Sequence, residues 1–377
     1  MKENPLLTLE AFGQSIWMDY ISRGMVTSGE LRKLIEDDGV SGVTSNPSIF
    51  EKAIAQSHDY DEAIRAFSIK AMTAAEIYQY LTVEDIQNVA DLLRPTYDRT
   101  GSGDGFVSLE VSPRLAHDTA GTIAEASHLW STVNRPNVMI KVPATPQGIP
   151  AIQHLIGEGV NINITLLFGL PRYREVVDAY LGGLETLAAR GKPLRQAASV
   201  ASFFLSRIDV LVEPQFEKEI SAGGPRAIIA ARLHGQAAIA SAKIAYEIYK
   251  DLFSSARFKS LEKLGARPQR LLWASTSTKN PAYSDTKYVE ALIGPDTINT
   301  LPIETITAYR DHGHPEQTLD LNVADAGQNL KDLAQVGIDL DAVTQQLEDQ
   351  GVEKFISAFD QLMASLEEKR AVMHKQP

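Results

Sequence analysis

Eight short apolar segments alternate with helical segments along the 377-residue chain and predict an α/β fold, a closed barrel of parallel strands inside a ring of helices. Many of the polar residues of these segments fall near their carboxyl ends, where such barrels carry their sites. The runner-up is an open doubly wound sheet, which would normally bind a nucleotide through a glycine-rich first turn. The first strand-to-helix connection, at residues 20–25, has no such pattern. A (β/α)8 barrel of the TIM type is therefore favoured.

The first four predicted strands are apolar runs that end at turn-forming residues. They lie at residues 14–20, 40–44, 106–111 and 138–142, and Pro47 and Pro143 follow the second and the fourth. Apolar residues at three- and four-residue spacing predict helices at 27–37, 48–97 and 119–134. Ser28 is the expected N-cap of the first helix. Thr82 to Asp85 is predicted to start another, because acidic residues suit a first helical turn.

The remaining four strands follow the same rules. They are predicted at residues 160–165, 197–203, 270–274 and 298–301, with helices at 147–158, 171–190, 227–253 and 304–370. We therefore expect one α/β-barrel domain spanning residues 1–377. Extra helices are expected after strand 2 (about 48–97), after strand 6 (about 208–264) and at the C-terminus (about 304–370).

Composition and charge exclude several classes of protein. The formal net charge of −12 argues against general nucleic-acid affinity, so an anionic substrate needs locally placed basic residues. The chain has no cysteine, which excludes disulfides and thiolate chemistry. No apolar run approaches the roughly 18 residues of a membrane span, and Met1–Pro5 leads into no secretory signal. We expect a cytoplasmic protein that binds neither nucleic acid nor membrane.

Two common kinds of hydrolytic site are also missing from the sequence. His312 and His314 sit two apart in a predicted loop, and neither HExxH nor a histidine pair at helical spacing occurs, so no metal site is predicted. The Gly-x-Ser-x-Gly pattern of serine hydrolases is absent as well.

Lys141 lies near the end of an apolar, β-branched stretch, residues 137–145 (Asn-Val-Met-Ile-Lys-Val-Pro-Ala-Thr). Burial of a lysine disfavours the charged ammonium, and a neutral amine can condense with a carbonyl to form a Schiff base. In isolation, a lysine that reaches from a strand end to water is the more common arrangement. The rest of the chain favours the Schiff base.

Polar side chains gather at the carboxyl ends of the predicted strands, where a barrel of this type has its active site. These residues are Asp19, Asn46, Glu110, Lys141, Asn163, Thr165, Ser202, Arg207, Ser275 and Lys279. Glu110 suits proton transfer to and from a carbinolamine, directly or through a water held with Thr165. Asp19 could take the proton of a substrate hydroxyl. The asparagines suit the hydroxyls of a polyol, and Arg207, Ser275 and Lys279 suit a phosphate.

Each residue also has a structural alternative. Asp19 could cap the following helix, and Asn46 before Pro47 is a common turn residue. Arg207 could pair with Asp209 at the surface. Glu110 is harder to explain structurally, because an isolated buried carboxylate costs several kcal/mol.

Taken together, four segments resemble the transaldolase family. They are residues 44–47 (Thr-Ser-Asn-Pro), 107–111 (Val-Ser-Leu-Glu-Val), 139–145 (Met-Ile-Lys-Val-Pro-Ala-Thr) and 163–168 (Asn-Ile-Thr-Leu-Leu-Phe). Their order along successive strand ends makes the combination specific, and the chain length is similar to the longer bacterial branch of the family.

The resemblance implies a class I aldolase-like barrel in which Lys141 forms the Schiff base and Asp19 and Glu110, assisted by Thr165, move protons. It implies that Asn46 and Asn163 bind a dihydroxyacetone moiety, that Ser202 and Phe204 line the pocket, and that Arg207 and Ser275 bind phosphate. The implied reaction of the non-oxidative pentose phosphate pathway moves a dihydroxyacetone unit from sedoheptulose 7-phosphate to glyceraldehyde 3-phosphate. It gives erythrose 4-phosphate and fructose 6-phosphate without metal or organic cofactor. A monomer or homodimer is expected.

The sequence departs from the family at one position. Many relatives place an arginine two residues after the serine that matches Ser275, whereas this chain has Ser277, and Lys279 is the expected substitute. Two other functions remain as alternatives. A fructose 6-phosphate aldolase-like lyase would resemble much shorter relatives that lack the glutamate. A catalytically silent sugar-phosphate-binding barrel predicts the loss of Asp19, Glu110 or Lys141, and all three are present.

Overall fold

Residues 4–374 are described by a computed structural model. Eight parallel strands pair in chain order, and the eighth closes on the first, so the predicted closed barrel is confirmed. The strands are β1 (Gln14–Met18), β2 (Val40–Val43), β3 (Phe106–Glu110), β4 (Val138–Pro143), β5 (Ile162–Leu167), β6 (Ser199–Phe204), β7 (Arg270–Ala274) and β8 (Thr297–Leu301).

Seventeen α-helices are assigned within residues 4–374, and they surround the barrel. The first six are α1 (Pro5–Ala11), α2 (Arg23–Thr27), α3 (Glu30–Asp38), α4 (Pro47–Ala55), α5 (Asp61–Ile69) and α6 (Ala74–Arg99). The next seven are α7 (Thr119–Val133), α8 (Gly148–Glu158), α9 (Leu170–Ala189), α10 (Ser206–Ala222), α11 (Pro225–Leu233), α12 (Ala237–Ser254) and α13 (Ala256–Glu262). The last four are α14 (Lys287–Glu290), α15 (Ile303–His312), α16 (Val323–Asp332) and α17 (Leu340–His374). None of them combines the length and apolar character needed to cross a bilayer.

Two predicted helix starts are wrong. Ser28 is the C-cap of α2, and α3 begins after Gly29, whose positive φ of 80° lets the chain turn between two short helices. Thr82 lies inside the 26-residue helix α6, and its hydroxyl donates to the Tyr78 carbonyl one turn earlier. The real start of α6 is Thr73, which forms a capping box with Glu76.

The strand register decides which side chains fill the barrel. Paired residues share a face, and side chains alternate along each strand. The pairs Trp17–Gly42, Gly42–Phe106, Glu110–Lys141 and Lys141–Asn163 therefore place all of these residues on the inner face. Apolar residues at the intervening positions pack against the helices.

The amino-terminal end of the barrel is closed by interior contacts. The Trp17 indole nitrogen donates to Asp104 at 2.7 Å, and the centres of the Trp17 and Phe106 rings lie 6.3 Å apart. Arg270 donates to the Ser15 hydroxyl and to the Thr297 carbonyl, each at 2.6 Å. Access to the polar interior is therefore from the carboxyl ends of the strands.

The C-terminal helix α17 reaches the carboxyl end of β5. Gly351 lies so close to Leu166 that a Cβ at this glycine would be 2.9 Å from a Leu166 methyl carbon. Glu348 on the same helix is buried and pairs with Arg172 on α9 at 3.2 Å. Near its end, Lys369 donates to the carbonyls of Ile54 and Ser57. This helix therefore packs beside the mouth of the barrel as well as against the outer layer.

Gly42 is required by the packing of the barrel interior. A Cβ there would lie 2.4 Å from two carbons of the Trp17 ring. We expect Gly42→Ala to lower the free energy of unfolding by about 2 kcal/mol, because the buried indole has no room to move. Denaturant unfolding measures the change. The matched control is Gly327→Ala in α16, where the nearest atom is 3.7 Å away. There, helix propensity predicts no loss and a gain of up to about 1 kcal/mol. Equal stabilities of Gly42→Ala and the parent would contradict the packing argument.

Candidate active site

Glu110, Lys141 and Asn163 form one interior row on three adjacent strands. Glu110 pairs with Lys141, and Lys141 pairs with Asn163, so their side chains leave the barrel wall at the same level. All three are buried, with Lys141 4% and Glu110 8% exposed. The lysine that could have reached water is therefore enclosed.

The Lys141 amine is held between a carbonyl and a carboxylate. Its Nζ donates to the Ser45 carbonyl at 3.0 Å and lies 3.8 Å from Glu110 Oε2. The Ser45 hydroxyl in turn donates to the Ser108 carbonyl at 2.7 Å, which fixes the loop after β2 against β3. The amine therefore has a defined position beside an acid.

Burial raises the pKa of Glu110 to about 7, with the charge of Asp19 adding to the rise and Lys141 opposing it. Neither of its carboxyl oxygens has a hydrogen-bond partner among residues 4–374, and the same holds for the buried Thr165 hydroxyl. Thr165 is the next inward-facing residue of β5 after Asn163. Both side chains therefore keep their hydrogen-bonding capacity for a substrate or a water.

Asp19 lies directly after β1 and does not cap the following helix, so that alternative is wrong. Ser22 is the N-cap of α2 and accepts from the Met25 amide at 3.3 Å. Asp19 Oδ1 instead accepts from the Thr44 hydroxyl at 2.7 Å, and Thr44 lies 2.9 Å from the Thr300 hydroxyl. The carboxylate is thereby aimed toward the mouth, where its charge acts on Glu110.

Asn163 and Ser202 belong to a hydrogen-bonded row across three strands. The Asn163 amide donates to the Ser108 hydroxyl at 3.0 Å, and its oxygen accepts from Ser202 at 2.7 Å. This row supports the side of the pocket next to Lys141. Asn46 behaves differently: its side-chain oxygen caps α4 by accepting from the Ile49 amide at 3.0 Å. Asn46 therefore caps a helix. This contact uses only its side-chain oxygen, which leaves its side-chain nitrogen available to a ligand.

Two cations stand on the opposite side of the mouth. The Arg207 guanidinium lies 5.6 Å from the centre of the Phe204 ring, and burial lowers its pKa while Asp19 opposes that shift. The Lys279 amine donates to the Ser277 hydroxyl at 2.6 Å. Burial also lowers the pKa of Lys279; the charge of Glu304 opposes this shift, and the charge of Arg207 adds to it. The positive charge of Arg207 therefore acts on Lys279, and both side chains are candidates for binding an anion.

Ser275 is adjacent to this pair, and the surface partner suggested for Arg207 is wrong. The Ser275 hydroxyl lies 3.0 Å from the Ser206 hydroxyl, with Ser275 in the left-handed region at a φ of 57°. Asp209 accepts from the Ala238 amide at 2.9 Å and from the Tyr288 hydroxyl at 2.7 Å, facing away from Arg207. Arg207 is thus left facing the site.

The structure brings all the predicted residues to the carboxyl end of the barrel and adds four that sequence reasoning missed. These are Thr44, Ser45, Ser108 and Thr300. Ser108 could have been found, because it lies two residues before Glu110 and so shares its face. The contact of Ser45 could not have been found in this way, because it is made by the backbone carbonyl and does not depend on which side chain is present.

A closed (β/α)8 barrel with an enclosed lysine beside a carboxylate, at the carboxyl ends of its strands, has the architecture of a Schiff-base aldolase. The chain belongs to the transaldolase/fructose-6-phosphate aldolase family, whose sequence model matches residues 16–366.

Curated relatives match over nearly their full length. The chain is 47% identical to "Transaldolase 2" of a Nostoc species over 374 residues, covering 98% of each chain. It is 47% identical to "Transaldolase" of Thiobacillus denitrificans over 354 residues, covering 94% of this chain and 97% of the relative. It is also 47% identical to "Transaldolase 2" of Streptomyces coelicolor over 358 residues, covering 94% of each.

Proposed function

We propose that this chain catalyses the transaldolase reaction, transferring a dihydroxyacetone unit from sedoheptulose 7-phosphate to glyceraldehyde 3-phosphate. The observation that carries the proposal is the enclosed Lys141 amine, 3.8 Å from Glu110 in a member of this family. Relatives named transaldolase across their whole length favour transfer over the release of free dihydroxyacetone.

The first half of the mechanism uses Lys141 and Glu110. The amine adds to the ketose carbonyl, and the carbinolamine then loses its hydroxyl as water. Glu110, whose pKa is near 7, donates the proton that this departing hydroxyl needs and takes one back during hydrolysis. Thr165, whose hydroxyl has no protein partner among the described residues, helps to hold the water.

The second half uses Asp19 and the iminium. The iminium carbon is C2 of the ketose chain. Asp19 takes the proton of the hydroxyl on C4, the bond between C3 and C4 breaks, and the electrons of that bond move into the iminium to form an enamine. The aldehyde leaves, the acceptor aldehyde binds, and the enamine attacks it while Asp19 returns the proton. The iminium serves as the electron sink, so these steps need neither metal nor organic cofactor.

Two sets of side chains would hold the substrate. Asn46, Asn163 and Ser202 offer amide and hydroxyl groups to the dihydroxyacetone moiety, beside the ring of Phe204. Arg207, Ser275 and Lys279 would bind the phosphate, the arginine through its planar two-point fork and the lysine as a point charge. We further propose that the chain works as a single-domain protein in the cytoplasm, as a monomer or homodimer.

Borohydride trapping with fructose 6-phosphate tests the proposal. Reduction followed by peptide mass spectrometry should find a three-carbon adduct on Lys141, and no adduct in Lys141→Ala. This result would identify the nucleophile and the bond that is cleaved. Absence of an adduct on every lysine of the parent protein would overturn the covalent mechanism and favour a silent sugar-phosphate-binding barrel.

Arg207→Ala is expected to raise KM for fructose 6-phosphate about 10- to 100-fold, because a charge-assisted contact with phosphate contributes roughly 1.5–3 kcal/mol. KM for unphosphorylated fructose should change much less. Steady-state kinetics with both sugars measure the difference, and Arg174→Ala, at an exposed arginine of α9, is the control. Equal effects on the two sugars would contradict a phosphate role for Arg207.

A further inference from the structure

The segment between β7 and α14, residues 275–286, carries two of the proposed phosphate ligands and belongs to neither a helix nor a strand. Its first residue is bonded to the start of α10. The Ser275 carbonyl accepts from the Ser206 amide at 3.3 Å, and the hydroxyls of the same two residues lie 3.0 Å apart. Arg207 is the next residue of α10. The segment therefore begins directly beside the arginine of the proposed phosphate site.

Lys279 is folded back toward the start of this segment. Its amine donates to the hydroxyl of Ser277, a buried residue, at 2.6 Å. The Thr276 hydroxyl donates to the Thr300 carbonyl at 3.2 Å, which holds this part of the segment against the end of β8. A lysine carries its charge on a flexible four-carbon stem and lacks the planar fork of an arginine. The position of the ammonium therefore depends on how firmly the segment around it is held.

Glu213, a buried residue of α10, holds the part of the segment that follows Lys279. The side-chain nitrogen of Asn280 donates to Glu213 Oε2 at 3.2 Å, and the Tyr283 hydroxyl donates to Glu213 Oε1. The same hydroxyl lies 3.0 Å from Nδ1 of His234. A buried carboxylate is costly unless it is hydrogen-bonded, and these two donors satisfy both of its oxygens. Glu213 therefore ties the residue next to Lys279 to α10.

One face of α10 supports the whole segment. Ser206, Asp209 and Glu213 follow one another at spacings of three and four residues, so they lie on the same side of the helix. Asp209 Oδ2 lies 3.5 Å from the amine of Lys287, where the segment enters α14. That amine lies 3.4 Å from the centre of the Tyr283 ring, a cation–π contact. The segment is thus bonded at its start, middle and end to the helix that carries the arginine.

We propose that Glu213 is a positioning residue for the phosphate site. By binding Asn280, it fixes the place of the Lys279 amine on the segment that starts beside Arg207. The inference rests on the proposed function and adds no catalytic step. An ammonium that is held in place before the substrate arrives loses less conformational freedom on binding it. Weakening the contacts of Glu213 should therefore weaken the binding of phosphorylated substrates and leave the chemistry at Lys141 unchanged.

The direct test is Glu213→Gln, which keeps the side-chain shape but puts an amide nitrogen in place of one acceptor oxygen. We expect KM for fructose 6-phosphate, and Ki for inorganic phosphate as a competitive inhibitor, to rise about tenfold, the effect of losing the preorganisation of one long side chain. Steady-state kinetics measure both constants. The kcat and the KM for unphosphorylated fructose should match those of the parent protein. The matched control is Glu217→Gln, at an exposed glutamate one turn further along α10.

Lys279→Ala decides whether Glu213 acts through the lysine. This change should itself raise KM for fructose 6-phosphate, and adding Glu213→Gln should raise it no further, because two changes that act through one group are not additive. Tyr283→Phe provides an independent variant, since it removes one donor to the carboxylate and keeps the ring beneath Lys287. It should raise KM for fructose 6-phosphate and Ki for phosphate in the same direction, and it tests the inference even if Glu213→Gln does not fold.

Three results would overturn the inference. The first is parental KM and Ki values in Tyr283→Phe together with Glu213→Gln, or in Lys279→Ala. The second is an equal rise of KM for phosphorylated and unphosphorylated fructose, which would mean that Glu213 only supports the fold. The third is full additivity of Glu213→Gln and Lys279→Ala. Failure of the proposed function is distinguishable, because the parent protein itself would then form no borohydride-trapped adduct on Lys141.

Discussion

Replacing Lys141 by alanine should lower the transfer rate on the order of 10⁴-fold or more, since every covalent step begins at its amine. The fold should survive, because the substitution leaves the β4 backbone ladder with β3 and β5 unchanged. Coupled assay of erythrose 4-phosphate production measures the loss, and circular dichroism checks the fold.

Lys141→Arg is the matched control for charge. A guanidinium keeps a cation beside Glu110 but does not condense with a ketose, so activity should be lost equally in both variants. If Lys141→Arg retains substantial transfer, the lysine acts through its charge and the Schiff-base assignment fails.

Glu110→Gln should reduce the rate of iminium formation about 10²- to 10⁴-fold, the usual contribution of a positioned acid–base group. Glutamine keeps the shape of the side chain but neither donates nor accepts the proton that the carbinolamine step requires. Borohydride quenching at short times measures the rate. A rate equal to that of the parent protein would remove Glu110 from the chemistry.

The pH dependence separates the acid role of Glu110 from a structural one. Because burial raises its pKa to about 7, Glu110 is protonated below that pH and ionised above it. In the parent protein, iminium formation should therefore slow as pH rises through about 7, when the acid that protonates the departing hydroxyl is lost. In Glu110→Gln this limb should disappear. Its persistence would assign the titration to another group.

The strands were predictable because a strand that is buried on both faces appears in the sequence as a continuous apolar run. β7 begins and ends at the predicted residues, Arg270 and Ala274, and β8 differs by one residue. Helix boundaries were less predictable. The Thr82 to Asp85 pattern resembles a helix start, but the continuous packing of α6 overrides it. The helical region at 227–253 is really the end of α11 and α12, with an intervening turn at Gly235.

Side-chain chemistry at strand ends was enough to predict which residues the structure brings together at the candidate site. The fixed barrel geometry brings Glu110, Lys141 and Asn163 together once their strands are adjacent. Contacts made by backbone atoms could not be predicted from side-chain chemistry. One example is the Ser45 carbonyl, which accepts a hydrogen bond from the Lys141 amine. Asn46 shows a different limit, because a helix-capping asparagine and a ligand-binding one have the same local sequence.

The contact between Gly351 and Leu166 also bears on how the protein is made. The 35-residue helix α17 is the last described element of the chain, yet it packs beside the residue that follows Thr165. During synthesis all eight strands leave the ribosome before this helix does. The nascent barrel can thus close before α17 is present to pack beside the carboxyl end of β5.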